Sequence, residues 1–152
     1  MRKVPSASTG VHSHEPPDPR AGPFSARLVS LMEQNLDFPL ALRELASRLR
    51  VSERTLTRLC KRALGESPMR LYLHVRLQAA RNFLFYEEYS ITDVANACGF
   101  SYPSVFSRVF RSHFGQTPRE FRARLRESQS ASLRPEIRRL MQPRRDEPAG
   151  DG

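Results

Sequence analysis

Residues 42–71 and 91–121 are two versions of one pattern. Leu42, Glu44, Leu45 and Ala46 recur as Ile91, Asp93, Val94 and Ala95 at an offset of 49. Leu56, Arg58, Leu59, Gly65, Pro68 and Leu71 recur as Phe106, Arg108, Val109, Gly115, Pro118 and Phe121 at an offset of 50. One extra residue therefore enters the second copy, around Tyr102-Pro103. Within each copy the apolar residues fall three and four apart, the spacing of a helix face. A glycine closes the second helix of each copy, and Ser/Thr-Pro opens the helix that follows. Any fold for this chain must house two like helical units, a constraint stronger than anything its composition imposes.

The helical pattern fills residues 24–126. Phe24–Leu36 sets Leu28, Leu31, Met32 and Leu36 on one stripe, and Leu40–Leu49 follows a break at Asp37-Phe38-Pro39. Ser52–Leu64 opens on a capping serine and stops at Gly65. Ser67-Pro68 starts a long helix that runs to about Tyr86. Ser90-Ile91-Thr92-Asp93 has the form of a capping box and opens a helix ending at Gly99. Helix 103–114 ends at Gly115, and Thr117-Pro118-Arg119-Glu120 caps the last helix, to about Arg126. Seven helices and no strand make the class all-α. The first helix-turn-helix occupies 42–63, the linker helix 68–86 and the second helix-turn-helix 91–114. Residues 1–23 are rich in Pro, Ser and Gly and read as a disordered head or linker. Residues 127–152 read as a flexible tail with room for one short helix around Pro135–Met141.

The residue types explain how each elbow works. Ala46 and Ala95 are small where two helices cross. Gly99 can take the left-handed backbone that a tight inter-helix turn needs, whereas the first copy has Arg50 there and should be strained. Leu56, Leu59, Phe106, Val109 and Phe110 fall on the inner faces of the second helices. The outer faces carry Arg54, Thr57, Arg58 and Lys61 in one copy and Ser104, Ser107, Arg108 and Arg111 in the other. Arginine binds guanine O6 and N7 in bidentate fashion, and Ser or Thr serves any base or a phosphate. The linker helix is apolar on two sides, Leu73, Leu77, Ala80 and Leu84 on one and Tyr72, Val75, Ala79 and Phe83 on the other. Nineteen residues make a strut roughly 28 Å long. Successive major-groove faces lie about 34 Å apart.

Charge supports that reading. The chain carries 25 Lys+Arg against 16 Asp+Glu, net +9, with pI near 10.7, and only Lys3 and Lys61 are lysines. Residues 24–126 hold 17 basic and 9 acidic side chains, so the positive field belongs to the folded part. Double-stranded DNA leads the expected partners. Cys60 and Cys98 sit in apolar helical patterns and read as small buried hydrophobes. His12 and His14 form a lone HxH without further ligands nearby, and His74 and His113 lie on helices without a carboxylate or cysteine at ligand spacing. No glycine loop cradles a phosphate. Neither an enzyme nor a cofactor or metal is expected. No signal peptide or apolar run of membrane length appears, so a cytoplasmic protein without a membrane partner is expected.

"RLQAARNFL…SITDVANACGFSYPSVFSRVFRSHFGQTPREFR" resembles the DNA-binding domain of the AraC/XylS family of bacterial transcription regulators. The likeness covers residues 24–126 and rests on Arg76-Leu77, Ala80, Ile91, Ala95, Gly99-Phe100, Phe106, Phe110, Phe114-Gly115 and Pro118. "LRELASRLRVSERTLTRLCKRALGESP" resembles the family's less regular first unit. The flavour is that of members whose amino-terminal half looks like a class I glutamine-amidotransferase domain. The resemblance implies that helices 52–64 and 103–114 enter adjacent major grooves. It places base reading on Arg54, Thr57 and Arg58, and on Pro103, Ser104, Ser107 and Arg108, with any reading by Pro103 apolar. It implies a promoter-binding regulator with RNA polymerase as a further partner. Family members mostly carry an effector-binding or dimerisation domain ahead of this one. Only 23 residues precede it here, so that domain is expected to be absent from this chain. A protein-interaction module that keeps the fold without reading DNA is the alternative.

Overall fold

A computed structural model describes residues 21–132. Seven helices occupy them: α1 (Ala21–Glu33), α2 (Leu42–Arg48), α3 (Glu53–Leu64), α4 (Pro68–Phe83), α5 (Ile91–Ala97), α6 (Pro103–Phe114) and α7 (Pro118–Ser132). No strand occurs among the described residues, so the all-α expectation holds.

Local chemistry sets most helix ends where the sequence put them. The Ser52, Ser67, Ser90 and Thr117 hydroxyls accept from the N–H groups of Thr55, Arg70, Asp93 and Glu120. Asp93 and Glu120 complete capping boxes by accepting from the Ser90 and Thr117 N–H groups. Gly65 and Gly115 terminate α3 and α6 at φ of 74° and 75°.

Four ends differ from expectation by three residues or more. α1 spans Ala21–Glu33 instead of 24–36, so residues 21–23, placed in the head, are its first turn. It stops early where the Asn35 side-chain amide takes the Leu31 carbonyl at 2.8 Å and its backbone N–H turns to the Met32 carbonyl at 3.1 Å. α4 ends at Phe83, three residues short of Tyr86, with Leu84 as its cap. Its 16 residues give a strut of roughly 24 Å at about 1.5 Å per residue. α7 continues past Arg126 to Ser132, into the span read as tail. The rest of the head and tail, with His12, His14 and Pro135–Met141, lies outside the described residues.

Two cores form, one per unit. Leu28, Met32, Leu40, Leu45, Ala46, Leu49, Leu56, Cys60 and Tyr72 make the first, and Leu77, Ala80, Leu84, Val94, Ala95, Cys98, Phe100, Phe106 and Phe110 the second. α4 belongs to both, closing the first unit with its amino-terminal half and opening the second with the remainder. Of the second stripe expected on it, Tyr72 and Val75 pack in the first core while Ala79 and Phe83 pack in the second. Both cysteines are buried, and burial pushes the Cys98 thiol up to about 12, the Arg76 charge opposing it.

Candidate nucleic-acid interface

The two elbows share one hydrogen-bond scheme. Arg50 N–H donates to the Ser47 carbonyl and Val51 N–H to the Ala46 carbonyl; Gly99 N–H and Phe100 N–H donate equivalently to Asn96 and Ala95. This crossed pair requires a left-handed residue just past the helix end. Gly99 has φ 76° and Arg50 φ 58°, and Arg50 is the one non-glycine residue at positive φ among the described residues. The strain expected at Arg50 is present.

Behind the shared scheme the units differ. The Arg76 guanidinium on α4 donates from Nε to the Cys98 carbonyl and from Nη2 to the Gly99 carbonyl, both at 2.7 Å, and lies 4.2 Å from the Phe100 ring centroid. Arg27 stands 49 residues earlier, at the matching place on α1, yet donates no hydrogen bond among the described residues. A Cβ on Gly99 would run into the Leu36 carbonyl oxygen and lie 2.6 Å from Pro39 Cγ. The second elbow is therefore seated on the α1–α2 loop of the first unit. Sequence reasoning identified Gly99 as a turn residue but missed this seat, and it missed Arg76 as the elbow's anchor.

The turn leading into α6 is one residue longer than that leading into α3. Because α3 and α6 begin at Glu53 and Pro103, Ser52 and Tyr102 occupy the same place. Ser101 is then the inserted residue, just before the predicted Tyr102-Pro103.

Each second helix turns its apolar face inward. Leu56, Phe106 and Phe110 are fully buried, while Leu59 and Val109 are half-buried. On the outer faces Arg54, Arg58 and Lys61 of α3 and Ser104, Arg108 and Arg111 of α6 are exposed, with Thr57, Pro103 and Ser107 half-buried. None of the eight polar side chains has a hydrogen bond or ion pair within the described residues. Ser107, Arg108 and Arg111 border one surface depression with Ser112 and Thr117. Arg111 also sits near Glu120, whose carboxyl is held below its ordinary range first by the Thr117 hydrogen bonds and then by Arg111 and Arg124. Arg111 is thus the member whose charge is partly used by its own fold.

One correction concerns the histidines. His74 does have a carboxylate partner: Glu66 Oε2 lies 2.9 Å from its Nδ1, and the His113 ring stacks 4.7 Å away. The three residues come from the α3–α4 loop, α4 and α6, so no single-helix spacing announces them. No group of three metal-ligating side chains able to hold an ion occurs among the described residues. Nor is any described helix long and apolar enough to cross a membrane.

A helix-turn-helix domain family matches residues 45–124. The chain belongs to the AraC/XylS family of helix-turn-helix transcription regulators. The HTH-type transcriptional regulator GbdR of Pseudomonas aeruginosa strain UCBPP-PA14 is 44% identical to it over 100 residues, 66% of this chain and 27% of GbdR. The HTH-type transcriptional activator RhaS of Yersinia pestis strain Pestoides F is 36% identical over 99 residues, 65% of this chain and 36% of RhaS. The chain therefore spans 27% and 36% of the lengths of these two relatives. A transcriptional regulator from Chromobacterium violaceum, described as an AraC-type DNA-binding domain-containing protein, superposes with a TM-score of 0.67 at 42% identity, covering 71% of this chain and 96% of that one. The DNA-binding domain of AdpA, solved with a target DNA, superposes with a TM-score of 0.63 at 29% identity, covering 68% and 93%.

Proposed function

We propose that this chain binds double-stranded DNA at promoters and reads two successive major-groove faces, one with α3 and one with α6. The observation that carries the reading is the paired outer face: Arg54, Thr57, Arg58 and Lys61 on one helix, Ser104, Ser107, Arg108 and Arg111 on the other. Equivalent elbows present both faces, and of these side chains Arg111 alone has its charge partly used among the described residues, by Glu120. Free guanidinium and hydroxyl groups on a helix of groove-fitting size supply base-edge and phosphate contacts. The AdpA domain, of the same fold, was solved on its target DNA, which supports the same use here. Pro103 offers the groove only its ring. Such a regulator works in the cytoplasm, and the named activator among the relatives supports RNA polymerase as a second partner.

Selection of duplexes from a random pool, followed by titration of the selected site at rising salt, tests this. Specific binding whose affinity falls steeply with salt is expected, because phosphate contacts release counterions. Salt-insensitive or absent binding would favour a protein-interaction module.

A further inference from the structure

α6 begins on a side chain that caps nothing. Ser52, Ser67, Ser90 and Thr117 each accept a backbone N–H at the start of α3, α4, α5 and α7. At the start of α6 that place belongs to Tyr102, in extended backbone at φ −125° and ψ 119°, with no side-chain cap. The sister helix α3 has Ser52 there. Tyr102 is 68% exposed, its ring has no aromatic neighbour, and its hydroxyl has no hydrogen-bond partner among the described residues. Neither packing nor capping accounts for a tyrosine at this position.

We propose that Tyr102 is a DNA-contact residue whose hydroxyl donates a hydrogen bond to a backbone phosphate beside the groove that α6 enters. The proposal rests on the reading of α6 as a groove-reading helix. Such helices put their amino-terminal residues nearest the base edges. The residue just before the first turn then lies where the helix passes the phosphate strand. Tyrosine hydroxyls serve phosphate oxygens, and contacts of this kind fix the register of the helix without reading sequence. The side chain that would stabilise α6 alone is a serine, so the tyrosine is explained by what α6 meets and not by what it is made of.

Tyr102→Ser and Tyr102→Phe in the full chain test this, each melted without DNA and titrated against the duplex the parent selects and a shuffled duplex. Tyr102→Ser should melt about 4 °C higher, because it gains the cap seen at Ser52. It should nevertheless bind both duplexes about tenfold more weakly. Tyr102→Phe should melt like the parent and lose affinity for both duplexes to a similar degree. Parental affinity in either variant overturns the proposal, as does a loss confined to the selected duplex, which would mark base reading. A parent chain that binds neither duplex overturns the DNA reading itself, and is told apart by failing before any substitution is made.

Discussion

The Tyr72 hydroxyl and the Arg122 guanidinium stand fifty residues apart and hold equivalent places in the two units. Tyr72 on α4 donates to the Asn35 carbonyl at 2.6 Å and accepts from Leu40 N–H at 3.2 Å. Arg122 on α7 donates to the Leu84 carbonyl at 3.2 Å and the Tyr86 carbonyl at 3.3 Å. Asn35 and Leu84 are themselves 49 residues apart, so the last helix of each unit is tied to the carbonyl just past its first helix. Different side chains serve one geometric need, because Tyr72 is buried while Arg122 lies near the surface. Removing the Tyr72 hydroxyl leaves the buried Leu40 N–H and the half-buried Asn35 carbonyl short of a partner. Tyr72→Phe should therefore cost about 1–3 kcal/mol, read as a lowered thermal midpoint. Arg122→Ala, at a wetter site, should cost less.

Base reading by Arg108 is the second expectation. It is exposed, unpaired and centred on the outer face of α6. Arg108→Ala should cost about 1–3 kcal/mol on the preferred site and relax choice at one or two base pairs. A uniform loss on all sequences would make Arg108 a phosphate contact. Arg58→Ala should relax choice at a different position, in the half-site under α3. Substitution is the cleaner test of two heads than a fragment ending near Tyr86. Such a fragment would uncover Leu77, Ala80 and Leu84, which are buried against the second unit.

Acid should weaken the packing of His113 beside His74. Burial holds the His113 imidazole below its ordinary range, the His74 charge adds to this, and Glu66 opposes it. A histidine whose folded pKa is depressed contributes stability that is present above its unfolded value, about 6.5, and lost as pH falls through the folded one. The thermal midpoint should drop on acidification below that value. His113→Gln should flatten the drop, and Glu66→Gln should steepen it. A midpoint equally pH-dependent in parent and His113→Gln would rule out this origin.

What was legible in the sequence was what neighbours along the chain decide. Ser52, Ser67, Ser90 and Thr117 cap helices within three residues of themselves, and Gly65 and Gly115 end them, so spacing alone located these boundaries. The polarity of α3 and α6 was legible too, since one helix turn defines a face. The Arg76 tie to the Cys98 carbonyl and the His74–Glu66 pair join residues brought close by packing, which no local pattern encodes. The Asn35 carbonyl belongs with these, because it is taken by Tyr72, 37 residues on.

Gly99 and Arg50 give the last test, since equivalent places in one repeat should respond oppositely to exchange. Both have left-handed backbone, at φ 76° and 58°. Arg50→Gly relieves the cost a side chain meets there but gives the unfolded chain more freedom, so the net gain should stay within about 1 kcal/mol. Gly99→Ala brings that backbone cost and a second one, because its Cβ collides with the Leu36 carbonyl and Pro39. Those atoms are backbone and a ring, which cannot swing aside as a flexible side chain would. The loss should exceed about 1 kcal/mol and be larger than that of Gly115→Ala, where φ is 75° but a Cβ meets nothing within 4 Å. Melts of the three variants without DNA separate the contributions. Equal losses at Gly99 and Gly115 would leave only the backbone cost and unseat the second elbow from the α1–α2 loop. A Gly99→Ala protein that melts like the parent would remove the left-handed elbow altogether, and the presentation of α6 would need another explanation.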